Sequence, residues 1–247
     1  MKKTHDSITG HGSLAGKYQD TIVGRGSLWA LLYFEWCMWL APIPGALGLL
    51  LRRIFWPKMF GGCGKGCAFG KNITVRHPGD IILGSKVVIS ENCLLDGRGE
   101  PGRAITIGDN VMLANNVNIA AKSGGTVFIG NDVGINTDTI IQSVIGSPIA
   151  IGDDCILGQR CLLIAGGSYH TDAPDIPIRL QGNKADSGVR LENNVWLGAG
   201  VSVLGGVTMK SGSIAGTGAV VTRDIAKNAI CLGVPAKIAR YRTDMPL

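Results

Sequence analysis

From about residue 69 onward, the hydrophobic and polar positions of this chain repeat every six residues. Each unit starts with an aliphatic residue, continues with small or polar residues, and has a second small or β-branched residue at its fifth position. Examples are the segments 107–112, 129–134, 151–156 and 197–202. A period of six fits neither a helix of 3.6 residues per turn nor a long alternating strand. It predicts a short strand followed by a tight corner, where Gly, Asn or Asp accepts a positive φ.

Three such sides close a triangular coil of 18 residues, and stacked coils bury columns of aliphatic side chains. The spacing of equivalent residues supports this size. Leu191 and Met209 lie 18 residues apart, and Ile129 and Ile151 lie 22 apart because one corner holds four further residues. Ile151 and Leu191 are separated by 40 residues, so one coil carries a long loop at about 167–190. We expect this loop to carry function.

A different pattern precedes the repeats. The apolar stretch from Leu28 to Leu51 is 24 residues long, which is enough to cross a bilayer. Three features argue against a crossing. Glu35 would lie in the hydrocarbon, Pro42 and Pro44 break the helix, and basic residues flank both ends of the stretch.

We therefore predict that residues 27–60 form two short helices, bent at the prolines, that dip into one leaflet from the cytosolic side. Eight of the 14 aromatic residues lie in this segment, as is typical of an interfacial anchor. Arg52, Arg53 and Lys58 are expected at the anionic membrane surface. The alternatives are that the helices pack on the soluble body or form an oligomer contact. In the anchor model the β-coils need no helical partner, because they bury their own aliphatic columns.

Composition and charge narrow the class of protein. A chain of 247 residues that is 45% hydrophobic and 17% charged is a folded domain with an appendage, not a disordered chain. The net charge of +6 lies mainly in residues 1–60, beside the apolar stretch, so we expect a membrane surface and no nucleic acid as partner. The seven cysteines show no zinc-binding spacing. Cys93, Cys155 and Cys161 fall on small buried positions of the repeat, as free thiols in a reducing cytosol.

The hexads resemble those of the hexapeptide-repeat acyltransferases. The stretch Val-Trp-Leu-Gly-Ala-Gly-Val-Ser-Val at 195–203, followed by 216–224 and by Gly-Val-Pro-Ala-Lys at 233–237, is similar to the galactoside and maltose O-acetyltransferase branch, including acetyltransferases of exopolysaccharide biosynthesis. The period alone leaves the hand of the coil open. The resemblance implies an all-β, left-handed parallel β-helix, with the apolar helical segment at its N-terminus.

These features divide the chain into four parts. A polar tail covers residues 1–26, and the apolar, membrane-associated helical hairpin covers 27–60. The β-helix with its long loop covers 61–228, and a C-terminal segment covers 229–247.

The long loop also carries the candidate chemistry. Of the four histidines in the chain, only His170 lies on it. Transfer of an acetyl group from a thioester to a hydroxyl needs a base, and neutral imidazole, with a pKa near ~6.5, suits that task. In the family that the chain resembles, a histidine on this loop is the base, and an Asn in the preceding coil, here Asn136, contacts the acceptor. Asp172 or Asp175 could orient the imidazole, and the sequence leaves that choice open.

The resemblance implies acetyl-CoA as the donor, bound in a groove between adjacent subunits of a homotrimer. The amide of Ala199 matches the one that meets the thioester, where an N–H would stabilise the oxyanion. The matches to the pantetheine arm and the phosphates are Thr217, Thr222, Arg223, Lys237 and Arg240. No metal is expected, since the β-helical carbonic anhydrases need three histidines per site.

The sequence thus predicts an O-acetyltransferase that acts on a sugar or glycan precursor at the cytosolic face of the cell membrane. One alternative is a non-enzymatic, membrane-tethered β-helical scaffold. Another is an acyltransferase for a non-sugar alcohol. The acceptor and the length of the acyl chain stay open.

Overall fold

The computed structural model describes residues 9–24 and 26–244, and most of this part is a parallel β-helix. Residues 1–8 and 25 of the predicted polar tail, and residues 245–247, lie outside the described residues. The chain passes in turn through three sheets, A, B and C, and the described residues complete seven coils. Leu191 pairs with Met209, and Ile151 pairs with both Ile129 and Leu191. The predicted coil of 18 residues with insertions at one corner is confirmed.

The strands are short and follow the hexads. Sheet A contains β1 (Gly62–Cys63), β4 (Ile81–Leu83), β7 (Ile105–Ile107), β10 (Val127–Ile129), β13 (Ile149–Ile151), β18 (Val189–Leu191) and β21 (Thr208–Met209). Sheet B contains β2 (Ala68–Phe69), β5 (Val88–Ile89), β8 (Met112–Leu113), β11 (Gly134–Ile135), β14 (Ile156–Leu157), β19 (Trp196–Leu197), β22 (Ile214–Ala215), β24 (Ala229–Leu232) and β25 (Lys237–Tyr241). Sheet C contains β3 (Thr74–Arg76), β6 (Leu94–Asp96), β9 (Asn118–Lys122), β12 (Ile140–Val144), β15 (Leu162–Ala165), β20 (Ser202–Val203) and β23 (Val220–Val221).

Coils 1 to 7 are numbered from the N-terminus, so that coil 1 is β1 to β3, coil 5 is β13 to β15, coil 6 is β18 to β20 and coil 7 is β21 to β23. After coil 7, β24 adds to sheet B in parallel, and β25 turns back antiparallel to it. The long excursion between coils 5 and 6 covers 166–188 and contains a small antiparallel pair, β16 (Ser168–Tyr169) and β17 (Asn183–Lys184).

Each coil buries the aliphatic start of its hexads and the small fifth position. Cys93, Cys155 and Cys161 are buried at fifth positions, as the repeat predicts. Burial raises the pKa of the Cys93 and Cys155 thiols to about 11, so both stay protonated at neutral pH. The corners take positive φ at Asn or Asp, for example at Asn116 (61°) and Asp138 (61°).

The N-terminal segment forms a helical cap on coil 1. It contains α1 (Leu14–Tyr18), a π-helical turn (Gln19–Val23), α2 (Leu28–Leu40), α3 (Gly45–Phe55) and a 3₁₀ turn (Trp56–Lys58). Pro42 and Pro44 lie in the link between α2 and α3. Within the described residues, no helix has both the length and the apolar character needed to cross a membrane.

One face of the cap packs on the open end of the coil stack. The buried Trp56 ring lies 5.4 Å from the ring of Phe69 in β2, and Phe60 stacks on Phe69 at 5.8 Å. The Nε1–H of Trp56 donates a hydrogen bond to the carbonyl of Cys37 in α2 (3.0 Å). The expectation that the β-coils need no helical partner is therefore wrong, because without the cap Phe69 would face water.

Arg52 is also placed differently from the expectation. Its side chain is 1% exposed, so it does not reach a membrane surface. Its Nε–H donates to the carbonyl of Phe69 (2.9 Å), and its Nη1 donates to the carbonyls of Leu40 (2.9 Å), Ala41 (3.2 Å) and Ile43 (2.8 Å). The guanidinium thus satisfies the C-terminal carbonyls of α2 and joins them to coil 1. Desolvation lowers the pKa of Arg52 from its usual value.

The Glu35 carboxylate has a hydrogen-bond partner within the protein. Its Oε1 accepts a hydrogen bond of 2.5 Å from the hydroxyl of Tyr18 at the end of α1. Burial, together with this carboxylate, raises the pKa of Tyr18 to about 12. The pair holds α1 against α2 and gives the carboxylate a partner.

The other face of the cap is apolar and exposed. Trp29 is 80% exposed and Trp39 is 78% exposed. The other large apolar residues of this exposed face are Leu28, Leu32, Trp36, Leu47, Leu49, Leu50 and Ile54. The hairpin therefore packs on the protein with one face and leaves a second apolar face open.

We predict that Arg52→Leu lowers the free energy of unfolding by about 3–5 kcal/mol, because several buried carbonyls lose their donor. The measurement is urea unfolding followed by tryptophan fluorescence, which reports mainly on the cap because four of the five tryptophans lie there. The matched control is Arg53→Leu, since Arg53 is the exposed neighbour and its change is expected to cost less than about 0.5 kcal/mol. Equal stability of the two variants would show that the Arg52 contacts do not hold the cap.

Candidate functional site

The corner between sheets B and C, called the B/C corner, aligns several of the predicted site residues. Ile135 pairs with Leu157, Leu157 with Leu197, and Leu197 with Ala215. The residues that follow these four are also stacked, which puts Asn136 in coil 4 on the same line as Gly198 in coil 6. Ala199 and Thr217 come one residue later and are equivalent positions of coils 6 and 7. Successive coils are about 4.8 Å apart, so this line runs along the helix axis.

At the B/C corner, the positive-φ position carries no side chain in coils 6 and 7. Asn116, Asp138 and Arg160 hold the positive-φ position in coils 3 to 5, but Gly200 and Gly218 hold it next. A Cβ at either glycine would meet no atom within 4 Å, so a side chain there would fill only the space outside the corner. The two glycines therefore leave an open trough beside Ala199 and Thr217.

Backbone donors line this trough. Within the described part of the chain, the N–H groups of Ala199 and Thr217 make no hydrogen bond. The equivalent N–H groups of Asn115 and Gln159 are unpaired among the described residues as well, whereas in coil 4 the N–H of Thr137 donates to the Oδ1 of Asn136 (2.9 Å). Thr217 is exposed and Ala199 is half-buried, so both amides border open space. The trough can accept an extended ligand that brings its own hydrogen-bond acceptors.

The C-terminal hairpin continues the same line. Lys237 pairs with Leu232, and the Leu232 side chain lies over Gly216 at the B/C corner. Arg240 pairs with Ile230, three residues farther along β25, or about 10 Å from Lys237. Both basic side chains are exposed, so Lys237 places positive charge at the C-terminal end of the trough, and Arg240 places it farther away across sheet B.

The remaining predicted residues lie at the next corner, between sheets C and A, called the C/A corner. Thr222 and Arg223 follow β23 there and are exposed. The excursion 166–188 leaves the stack at the same corner, two coils earlier. The width of sheet C, about six residues or 20 Å, separates this corner from the trough. Among the described residues, no hydrogen bond or ion pair joins His170 to Asn136 or Ala199.

His170 stands on the excursion with half of its side chain exposed. Its backbone N–H donates to the carbonyl of Gly182 (3.0 Å), next to the β16–β17 pair. Its Nδ1 lies 3.6 Å from Oδ2 of Asp172, which is longer than a hydrogen bond. Of the two acidic residues that the sequence left open, Asp172 is the one that forms an ion-pair contact with the imidazole. Asp172 is 92% exposed, so water competes strongly with that contact.

Sequence reasoning missed the residue that fixes the base of the excursion. The carboxylate of Asp186 accepts hydrogen bonds from Gly166 N–H (2.8 Å) and from Gly188 N–H (2.8 Å), which are the two ends of the excursion. The backbone N–H and carbonyl of Asp186 bond to the Oγ of Ser147 in coil 5. The sequence signal was an Asp two residues before a Gly, the pattern of an Asx turn.

The hydrogen bonds of Asp186 also explain where the excursion begins and ends. The sequence placed it at about 167–190, but Val189 already pairs in β18. Gly166 and Gly188 have φ of +70° and +89°, and a Cβ on either would clash with a backbone carbonyl. Both ends therefore need glycine, and the two glycines bound the excursion.

We predict that Asp186→Ala loosens the excursion without unfolding the β-helix. Loss of both end contacts should raise the rate of tryptic cleavage after Lys184 roughly tenfold, because cleavage follows the population of the open loop. The assay is limited proteolysis read by mass spectrometry. Asp109→Ala is the matched control, since this corner carboxylate also accepts a backbone N–H, from Ser85 (2.6 Å), but far from the excursion. Equal cleavage in both variants would remove Asp186 from this role.

Comparisons with known proteins identify relatives of this chain. No protein-family model matches the chain. It is 33% identical over 121 residues to the galactoside O-acetyltransferase of Lactococcus lactis subsp. lactis (strain IL1403), covering 49% of this chain and 56% of that protein. It is 32% identical over 143 residues to the protein named "Putative acetyltransferase SACOL2570" of Staphylococcus aureus (strain COL), covering 57% of this chain and 67% of that protein. The chain spans about half the length of several other curated relatives that it matches.

Solved structures share the fold. AntD, an N-acyltransferase from Bacillus cereus in complex with dTDP and coenzyme A, superposes with a TM-score of 0.50 at 22% identity, over 78% of this chain and 88% of that one. The hexads, the seven stacked coils and the identity to acetyltransferases over two thirds of a relative lead to one assignment. The chain belongs to the hexapeptide-repeat acetyltransferases.

Proposed function

We propose that the protein is an O-acetyltransferase that moves an acetyl group from acetyl-CoA to a hydroxyl of a sugar or glycan precursor. The observation that carries this proposal is the division of the site between two corners. At the B/C corner lies an open trough with the backbone donors of Ala199 and Thr217 and with Lys237 at its C-terminal end. At the C/A corner, the half-exposed His170 lies on the excursion whose two ends Asp186 holds. The name of the Lactococcus relative supports a sugar hydroxyl as acceptor.

The trough fits the donor. An extended pantetheine arm would lie along the bare corner past Ala199 and Thr217, where the unpaired N–H groups meet its carbonyl oxygens. Lys237 and Arg240 would attract the phosphates at the open end, with Thr222 and Arg223 contributing from the neighbouring corner. Acetyl-CoA would supply the activated acetyl group, and no metal takes part.

His170 would act as general base. Neutral imidazole takes the proton of the acceptor hydroxyl while the hydroxyl oxygen attacks the thioester carbonyl. The N–H of Ala199 donates to the oxygen that becomes negative. The tetrahedral intermediate then expels the thiolate of CoA, which receives the proton from the imidazolium. The products are the acetyl ester and free CoA thiol, and Asn136 would hold the acceptor.

A homotrimer would complete the site. One copy keeps His170 and the trough about one sheet width apart, but a threefold axis parallel to the β-helix brings the C/A corner of one copy to the B/C corner of the next. Because the copies stand side by side at equal height, the excursion between coils 5 and 6 faces Ala199 in coil 6 and lies near Asn136 in coil 4.

The test is complementation between two inactive variants. We predict that His170→Ala lowers kcat by about two to four orders of magnitude, measured as thiol release from acetyl-CoA with a panel of sugars. Ala199→Trp should fill the trough and abolish activity as well. Trimers refolded from an equal mixture of both should regain about a quarter of the wild-type activity, because that share of the sites pairs an intact histidine with an intact trough.

Asn115→Trp is the matched control, since Asn115 holds the position of Ala199 three coils earlier and its change should leave thiol release intact. Wild-type turnover by His170→Ala would exclude the histidine as base. No recovery in the mixture would mean that the site lies within one copy. No thiol release by the wild type with any sugar or alcohol would favour the non-enzymatic scaffold.

We also propose that the exposed face of the cap lies on the cytosolic surface of the cell membrane. The three exposed tryptophans of α2 and the leucines of α3 match an interfacial helix pair. Exposed cations lie on α3 and the following 3₁₀ turn, namely Arg53 and Lys58, and on the corners of coil 1, namely Lys65 and Lys71. Cations that come close to the membrane attract anionic lipid headgroups.

We predict that Trp29→Ser with Trp39→Ser releases the protein from vesicles while its melting temperature stays within a few degrees. Flotation with phosphatidylcholine vesicles that contain phosphatidylglycerol measures the binding. Trp196→Ser is the control, because Trp196 is 52% exposed but lies on sheet B in coil 6, away from the cap. Undiminished flotation of the double variant would show that this face does not contact lipid.

A further inference from the structure

The helical cap closes the N-terminal end of the β-helix across the whole triangle of coil 1. The 3₁₀ turn 56–58 contacts β1, α3 contacts β2, and the π-helical turn 19–23 contacts β3. The N–H of Asn72 donates to the carbonyl of Ala41 (2.9 Å), and the N–H of His77 donates to that of Ile22 (2.7 Å). Since all three sides of coil 1 touch the cap, the exposed apolar residues of the cap lie beyond the N-terminal end of the coil stack.

The candidate site lies several coils from that face. Asn136 is in coil 4, Ala199 is in coil 6, and the excursion with His170 leaves the stack between coils 5 and 6. Four steps of about 4.8 Å separate coil 1 from coil 5, which gives about 19 Å along the axis. The helical layer adds about 10 Å. The hydroxyl that reacts would thus lie about 30 Å from the exposed face of the cap.

The surface between the cap and the excursion carries several charged side chains. Arg76, Asp96, Ala120, Gln142 and Ile164 form one column of sheet C that ends beside the excursion. The buried carboxylate of Asp96 accepts two hydrogen bonds from the guanidinium of Arg98 (2.8 and 2.6 Å) and one from that of Arg76 (3.4 Å).

Lys122 adds a third cation near the same carboxylate. One buried acid thus faces three cations, but the same corner also carries the carboxylates of Asp80 and Glu100, and Glu100 pairs with Arg103 (2.9 Å). A polar chain that runs from the membrane toward His170 along this corner would meet charged groups of both signs.

We infer that the membrane-bound protein acts on an extended, membrane-anchored glycan, at a hydroxyl several sugar units away from the lipid. A single sugar attached directly to a lipid headgroup would stay near the bilayer surface, about 30 Å below His170. This inference rests on the proposed function, both on the acetyl transfer and on the docking of the cap, and it adds the length of the acceptor.

The experiment uses the full-length wild-type protein bound to vesicles of phosphatidylcholine and phosphatidylglycerol. The acceptor is a sugar that reacts when it is free in solution. It is attached to a lipid anchor through uncharged polyethylene glycol tethers that are either clearly shorter or clearly longer than the distance of about 30 Å between the cap face and the site. Thiol release is measured at equal surface density, and flotation in the same samples measures bound protein. We expect the long tether to react at least about tenfold faster than the short one. The same sugars with the same tethers but without lipid should react at equal rates.

The outcomes separate the inference from its premises. Equal rates for short and long tethers on vesicles, with the protein fully bound, would overturn the inference alone. Absence of thiol release with the free sugar would overturn the proposed reaction, and the inference with it. Thiol release without flotation would overturn the docking of the cap, and again the inference with it.

Discussion

Hydrogen bonds between successive coils hold each residue directly above its equivalent one coil earlier, about 4.8 Å away. This stacking is the constraint on which the rest of the structure depends. A column of equivalent positions shares one environment, so a residue that suits one coil has to suit its neighbours. Buried aliphatic residues therefore form continuous columns, and residues with positive φ form lines along the corners. The trough follows from the same rule, because two glycines in adjacent coils open one continuous strip of backbone.

A stack of coils has two ends, and each end exposes the column that the next coil would have covered. At the N-terminus Trp56 and Phe60 cover Phe69, and Arg52 ties the carbonyls of α2 to coil 1. At the C-terminus β25 turns back along β24 and covers the edge of sheet B. The two ends differ in their outer surfaces. The C-terminal end presents basic side chains, and the N-terminal end presents tryptophans and leucines.

The sequence predicted most of the β-helix because a period of six is a property of the chain itself. The spacings of 18, 22 and 40 between Leu191, Met209, Ile129 and Ile151 are the registers that the strands adopt. The role of Arg52 could not be predicted in this way. Its four acceptors lie 9 to 17 residues away, and beside Arg53 it has the pattern of a solvated basic flank. The ends of the excursion were also hidden, since Asp186 and Ser147 are 39 residues apart and meet only because coil 5 stacks under coil 6.

The sequence predicted on which coils the candidate site residues lie, but it could not show that they belong to two corners. The corner at which a residue lies depends on how many residues each side of the triangle contains. His170 belongs to the excursion, which does not follow the six-residue repeat, so the repeat could not predict its distance from Ala199. A rigid stack cannot fold one corner onto the next, because every coil is held by its neighbours. The proposed chemistry, which uses a histidine at the C/A corner and a trough at the B/C corner, would therefore need a second copy of the chain, and the proposal thus makes catalysis depend on assembly.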